Sequence, residues 1–165
     1  MSAANRPDHS SDIPESEREI VLTRLLSAPR ERVFDAWTDC AHVANWSGPD
    51  GCTITTHEMD VRPGGVWRFV MHAPDGTDYD NWIKYREAVR PERLAYLHGS
   101  RADDPDAFEG SVTFTAQGEK TLVTTRALFK TRKQREEANG YGAVEIGQQG
   151  LRRLSEYLER AAGDR

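Results

Sequence analysis

Cysteine is scarce in this chain: Cys40 and Cys52 are the only two in 165 residues. Their twelve-residue separation is not the close pair of a metal knuckle. The two could pair in principle, but no export signal precedes them, so free thiols in a reducing cytosol are expected. Positive charge is short as well. With 22 Lys and Arg against 27 Asp and Glu, the net charge is -5 and the pI about 5.6. Such a surface does not suit DNA or an anionic bilayer, which demand a basic face. No apolar run approaches the roughly 20 residues of a membrane span. The opening Met1-Ser2-Ala3-Ala4-Asn5-Arg6-Pro7 lacks an apolar signal core, and a cytoplasmic location is expected. Catalytic motifs are missing too. The five histidines (His9, His42, His57, His72, His98) form no H-E-x-x-H, and there is no G-x-S-x-G elbow, Walker loop or strand-following G-x-G-x-x-G. No catalytic residue, metal or cofactor is assigned.

What is present describes one globular domain: 37% hydrophobic, 30% charged, mean hydropathy -0.73. Residues 1–16 are polar and rich in Pro, Ser and Asp, and are expected to be a disordered leader. The domain covers residues 17–162. A first strand holds Ile20, Val21, Leu22, Leu25 and Leu26, and Pro29 opens a helix carrying Val33, Phe34, Ala36 and Trp37. A short helix near 41–46 stops at Ser47-Gly48-Pro49. Six strands are expected near 53–61, 65–73, 78–89, 93–99, 108–116 and 121–129, divided by turn residues such as Pro63-Gly64-Gly65 and Asp75-Gly76. Thr131 caps a charged helix to Ala138. A final helix over 143–162 points Val144, Gly147, Leu151, Leu154 and Leu158 inward, and Arg152, Arg153, Glu156, Glu159 and Arg160 outward.

This is an α+β pattern: about seven antiparallel strands curling around one long C-terminal helix, with two short helices between strands 1 and 2. One helix covers only a stripe of such a sheet, so the space beside it is filled by side chains or by a ligand. A glycine inside the helix, Gly147, fits either close approach to the sheet or room left beside it. Alternation along the strands nominates the lining. Trp67, Phe69 and Met71 share one face, and Trp82, Tyr85, Leu94, Tyr96, His98, Val112, Phe114, Leu122 and Leu128 are candidates on the following strands. Trp46 and Tyr141 are expected at the mouth, with Gly147 and Leu151 on the helix. His98, Tyr85 and Gln148 are the polar candidates. Arg24 is expected either paired with an acid inside the sheet or exposed at its edge.

Several motifs together resemble a known family. They are Ala28-Pro29-x-x-x-Val33-Phe34-x-Ala36-Trp37-Thr38, Trp46, Asp60-x-Arg62-Pro63-Gly64-Gly65-x-Trp67, Asp75-Gly76, Pro91-x-Arg93-Leu94 and Gln149-x-Leu151-x-Arg153-Leu154. The chain resembles, over about 17–162, the bacterial branch related to the C-terminal domain of the heat-shock-protein-90 ATPase activator. That branch lies in the START-like (SRPBCC) helix-grip superfamily. The resemblance implies a hydrophobic cavity and a small hydrophobic or amphipathic ligand, lipid-like or aromatic. It implies no nucleic acid and no stable membrane association, and a monomer or homodimer. Gly147-Gln148 departs from the Gly-Trp of many relatives and makes that place more polar. A cyclase- or hydrolase-type enzyme acting on an aromatic or polyketide-like substrate, with His98 as its acid–base group, is one alternative, although no residue set matches a cyclase site. A stress- or chaperone-associated accessory protein is another, but the short leader leaves no room for the activator's chaperone-binding domain.

Overall fold

The computed structural model describes residues 13–163, so most of the expected leader lies outside the described residues. Within that range a 3-10 turn at Glu15–Glu17 is tied down by Arg126, whose Nη2 donates to Glu15 Oε1 at 2.6 Å, and by an Arg132–Glu17 pair. This turn leads directly into the first strand.

The elements run β1 (Glu19–Leu26), α1 (Arg30–Thr38), α2 (Cys40–Val43), β2 (Thr53–Met59), β3 (Val66–His72), β4 (Asp78–Val89), β5 (Arg93–Gly99), β6 (Phe108–Gln117), β7 (Lys120–Leu128), α3 (Arg132–Gly140) and α4 (Ala143–Gly163). The seven strands form one antiparallel sheet in the order β1-β7-β6-β5-β4-β3-β2. Tight turns make each strand from β2 to β7 the neighbour of the next. β1 then returns beside β7, so α1 and α2 span the distance between the two edges. Both cysteines are free; Cys40 is exposed and Cys52 buried.

The glycine-rich motif after β2 explains itself locally. Gly64 has φ +86°, open to glycine at little cost, and a Cβ on Gly65 would sit 2.0 Å from the Asp60 carbonyl oxygen. The turn docks on β4: Gly64 N–H donates to Tyr85 O (2.8 Å) and Tyr85 N–H to Gly65 O (2.9 Å). A bulge between Tyr85 and Glu87 follows directly. The motif thereby fixes the backbone that aims the Tyr85 side chain.

Opposite residues in an antiparallel ladder share a face, and the register defines the concave one. It carries Ile20, Leu22, Arg24 and Leu26; Thr121, Val123, Thr125 and Ala127; Phe108, Gly110, Val112 and Phe114; Leu94, Tyr96 and His98; Asn81, Ile83 and Tyr85; Trp67, Phe69 and Met71; and Ile54, Thr56 and Met59. α4 crosses this face and lies so close to β1 that a Cβ on Gly147 would be 2.5 Å from Leu22 Cδ1. Of the two explanations for a mid-helix glycine, close approach is the one realised.

Three sequence expectations are corrected by the register. Trp82 stands opposite Arg68 and Gly99 on the outer face, because alternation back from Tyr85 turns Ile83 and Asn81 inward. Leu122, opposite Leu25 and Thr115, also faces outward, and Val123 takes the inner position. Leu128 shares the outer face, opposite Glu19 and Glu109, though it is buried there.

Candidate functional site

The concavity has two dissimilar ends. At one end Leu26, Val33, Val43, Leu94, Val112, Phe114, Val123 and Leu154 form a sealed core around Phe34, Leu151 and Leu158. Phe114 meets Phe34 edge-on at 5.4 Å and Trp37 at 5.6 Å. Trp46, 5% exposed, belongs here: its Nε1 donates to Ala36 O (3.0 Å) and its ring meets Trp37 at 4.7 Å. The expected place for Trp46, at a mouth, is therefore wrong, because the indole anchors the α1–α2 corner. Tyr141 is also misplaced by the sequence reading. It follows α3 with its ring 69% exposed and lines nothing. Phe114 and Leu151 are core residues of the sealed end.

At the other end the rings continue, and Trp67, Phe69 and Tyr85 are buried in the same cluster with Tyr96 packed against it. Trp67 stacks on Phe69 (4.0 Å), Phe69 neighbours His98 (6.5 Å), His98 neighbours Phe108 (5.0 Å), and Phe108 neighbours Phe129 (5.1 Å). Tyr96 adjoins both His98 (6.4 Å) and Tyr85 (6.2 Å). The structure thus unites Trp67, Phe69, Tyr85, Tyr96 and His98 in one aromatic belt, with Met71 one position further along β3. The Tyr96 ring lies across Gly110, where a Cβ would be 2.2 Å from Cε2, so the glycine is the floor that lets this ring lie flat. Asn81, Phe108 and Phe129 were missed. Phe108 was within reach of the period-2 alternation through Gly110, Val112 and Phe114; Asn81 was hidden by the wrong phase on β4.

The polar groups of the belt are arranged consistently. Asn81 Nδ2 donates to Tyr79 O (3.1 Å), which turns Oδ1 toward His98 Nε2 at 2.9 Å. An amide oxygen only accepts, so the imidazole carries its proton on Nε2 and presents Nδ1 as an acceptor. Burial lowers the His98 pKa to about 4, an effect that Asp104 nearby only partly offsets, and the ring is neutral at pH 7. Burial pushes the Tyr96 phenol up to about 12 and raises Tyr85 as well, with Tyr96 adding to the latter shift. Among the described residues, the two phenol hydroxyls and His98 Nδ1 have no hydrogen-bond partner. Among the described residues, the fully buried side-chain polar atoms without a partner are Arg18 Nε and Arg135 Nε.

The surrounding segments are held from α4. Arg153 Nη1 lies 3.0, 2.9 and 2.8 Å from the carbonyl oxygens of Ser47, Gly48 and Pro49, and Gln149 Oε1 accepts from Asp50 N–H at 3.0 Å. Arg152 pairs with Asp50. Arg153 was expected on the solvent face; instead it clamps the 47–52 loop, whose Gly48 abuts the Met71 sulfur. Two surface depressions lie elsewhere. One, of about 560 Å³, is bounded by Asp35, Thr38, Asp39, Cys40, His42 and Met59. The other, of about 150 Å³, lies on the outer face of β4–β7 and meets the expected lining only at Tyr96. Among the described residues, no helix is long and apolar enough to cross a membrane.

Comparison with known proteins agrees with this architecture. Protein NE0264 from Nitrosomonas europaea is 23% identical, with 91% of this chain and 99% of that one covered at a TM-score of 0.83. Protein CV1439 from Chromobacterium violaceum is 27% identical over 84% and 95% of the two chains, with a TM-score of 0.70. The AHSA1 (SPO3351) protein from Silicibacter pomeroyi is 20% identical over 87% and 98%, also at 0.70. No curated protein matches the chain. The family model described as "Activator of Hsp90 ATPase homolog 1-like protein" matches residues 27–159. With most of its length matched and its sheet gripping the terminal helix, the chain belongs to the activator of Hsp90 ATPase homolog 1-like family and has that family's helix-grip fold.

Proposed function

We propose that this protein binds a small hydrophobic or amphipathic molecule at the open end of its concavity. The observation that carries the reading is the pair of phenol hydroxyls on Tyr85 and Tyr96. Among the described residues they have no partner, and they lie beside an aromatic belt from Trp67 to Phe129. A ligand group that pairs with one of them would add about 0.5–1.5 kcal/mol for each hydrogen bond formed. The apolar body of the ligand would gain about 25 cal/mol for each Å² it buries against the rings. A hydrolase or cyclase reading is less well supported. His98 is oriented by the Asn81 amide and not by a carboxylate, so the relay that would make it a strong base is missing.

The test uses Nile red, a neutral solvatochromic dye. One dye should bind per chain with a blue-shifted emission, and His98→Trp, which puts an indole into the belt, should abolish binding while the thermal transition is retained. Undiminished binding by that variant, or no binding by the parent protein, overturns the proposal.

A further inference from the structure

The two fully buried, unpaired donors among the described residues are of one kind: the guanidinium Nε atoms of Arg18 and Arg135. Arg18 stands one place before β1. Phe129 N–H donates to Arg18 O at 2.8 Å, so this pair extends the ladder past Glu19 and Leu128. Those two face outward, and alternation therefore turns Arg18 and Phe129 inward. Arg18 Nη1 donates to Phe129 O at 2.8 Å. The other edge of the guanidinium, where the Nε and Nη2 N–H bonds point the same way, has no partner among the described residues. Two parallel N–H donors form the fork that grips both oxygens of a carboxylate.

Arg135 belongs to the same corner. Arg132 at the start of α3 pairs with Glu17, the residue beside Arg18, and Arg135 follows one turn later on that helix. The carboxylates nearby are engaged elsewhere. Arg126 takes Glu15 through Nη2 at 2.6 Å and Glu19 through Nε at 2.5 Å, while Arg132 takes Glu17. Glu15 is held below the usual carboxylate range chiefly by its bond to Arg126, and Arg18 contributes least. Arg18 and Arg135 are thus half-buried cations without a counter-charge among the described residues, a costly state that an oxyanion relieves. Phe129 meets Phe108 at 5.1 Å, so the corner is also one end of the aromatic belt.

We infer that the ligand's polar end is a carboxylate, gripped by the Nε–Nη2 edge of Arg18 and attracted by Arg135, with its apolar body along Phe129 and Phe108. This rests on the binding reading above and gives that ligand a charged head.

Three probes of one shape decide this by displacement of Nile red at pH 7: naphthalene, 2-naphthoate and 2-naphthylmethylamine, the last cationic at that pH. 2-Naphthoate should bind about tenfold tighter than naphthalene, and the amine should be the weakest. Arg18→Lys keeps the charge and loses the fork, so the preference for 2-naphthoate over naphthalene should fall to about threefold or less. Arg135→Met keeps the apolar stem, removes the second charge, and should lower the preference to a similar level. Naphthalene should bind both variants as it binds the parent. Because Arg18→Lys also disturbs the contact with Phe129, Arg135→Met decides alone where the lysine variant does not fold. A parent that binds 2-naphthoate no tighter than naphthalene, or an undiminished preference in either folded variant, overturns the inference and leaves apolar binding intact. Failure of the parent protein to bind Nile red or any probe overturns both.

Discussion

The two ends of the concavity are built from the same strands and the same helix, yet they solve opposite problems. At the sealed end the inward side chains are aliphatic or aromatic but for Thr121, which donates to Ala28 O at 2.7 Å, and they meet counterparts from α1 or α4. At the other end the inward side chains include a histidine, an asparagine and two tyrosines, and the neighbouring half of α4 offers Val144 and Gly147, while Gln148, a polar candidate from the sequence, is exposed. A helix that closes on β1 at Gly147 cannot also fill the space over β4 and β5. The difference shows that the fold invests its packing at one end and leaves polar capacity unsatisfied at the other. Stability and binding should therefore respond to different substitutions.

The largest separation is expected from truncation in the sealed core. Leu154→Ala removes a fully buried side chain from α4 and should destabilise the protein by about 2–5 kcal/mol, read as a shifted urea midpoint. Where the variant is folded, its affinity for Nile red should match the parent. A changed affinity would mean that the ends are not independent.

Acid provides the second contrast, and it acts at the open end. The His98 pKa is about 4 in the folded state against an ordinary value of 6.5, so the unfolded chain binds the proton first. Stability from this residue is fully present above pH 6.5 and is lost as the pH falls from 6.5 toward 4, by about 3 kcal/mol in all. Chemical denaturation at stepped pH should show that slope in the parent, and a flatter one in His98→Gln, which retains an amide hydrogen bond to Asn81. Identical slopes would remove His98 from the buried set.

Much of this design was legible in the amino-acid order, and the omissions have common physical causes. Turn residues bounded the strands to within a few positions, and the strict alternation of Trp67, Phe69 and Met71 set the phase of β3. On β4 Trp82 and Tyr85 were both taken as inward, although the strand runs unbroken between them and alternation allows only one; the bulge comes after both. The His98–Asn81 bond joins residues 17 apart through strand register, which composition does not reveal. Trp46 and Arg153 failed for another reason. Their partners, Ala36 on one side and the 47–52 carbonyls on the other, become neighbours only once α1, α2 and α4 meet. The family motifs themselves proved mainly architectural: Gly64-Gly65 docks a turn on Tyr85, and Gln149 with Arg153 holds a loop.

That loop gives the smallest predicted effect and the sharpest probe of the boundary between the ends. Arg153 draws three consecutive carbonyls toward α4 with one guanidinium nitrogen, and reaches Cys52 O with the other at 3.4 Å. Gly48 in the same loop abuts Met71, next to the belt. Arg153→Met keeps the apolar stem and releases those carbonyls to water, which the half-exposed loop allows. The stability cost should be about 1–2 kcal/mol, since charged hydrogen bonds are exchanged for solvent ones and not left empty. The loop would then move more freely over Met71, so Nile red should enter and leave several-fold faster in stopped-flow traces, with its equilibrium affinity changed less than its rates. Unchanged rates would mean that the ligand reaches the aromatic belt by a path that avoids this loop, past α3 and the 100–107 segment instead.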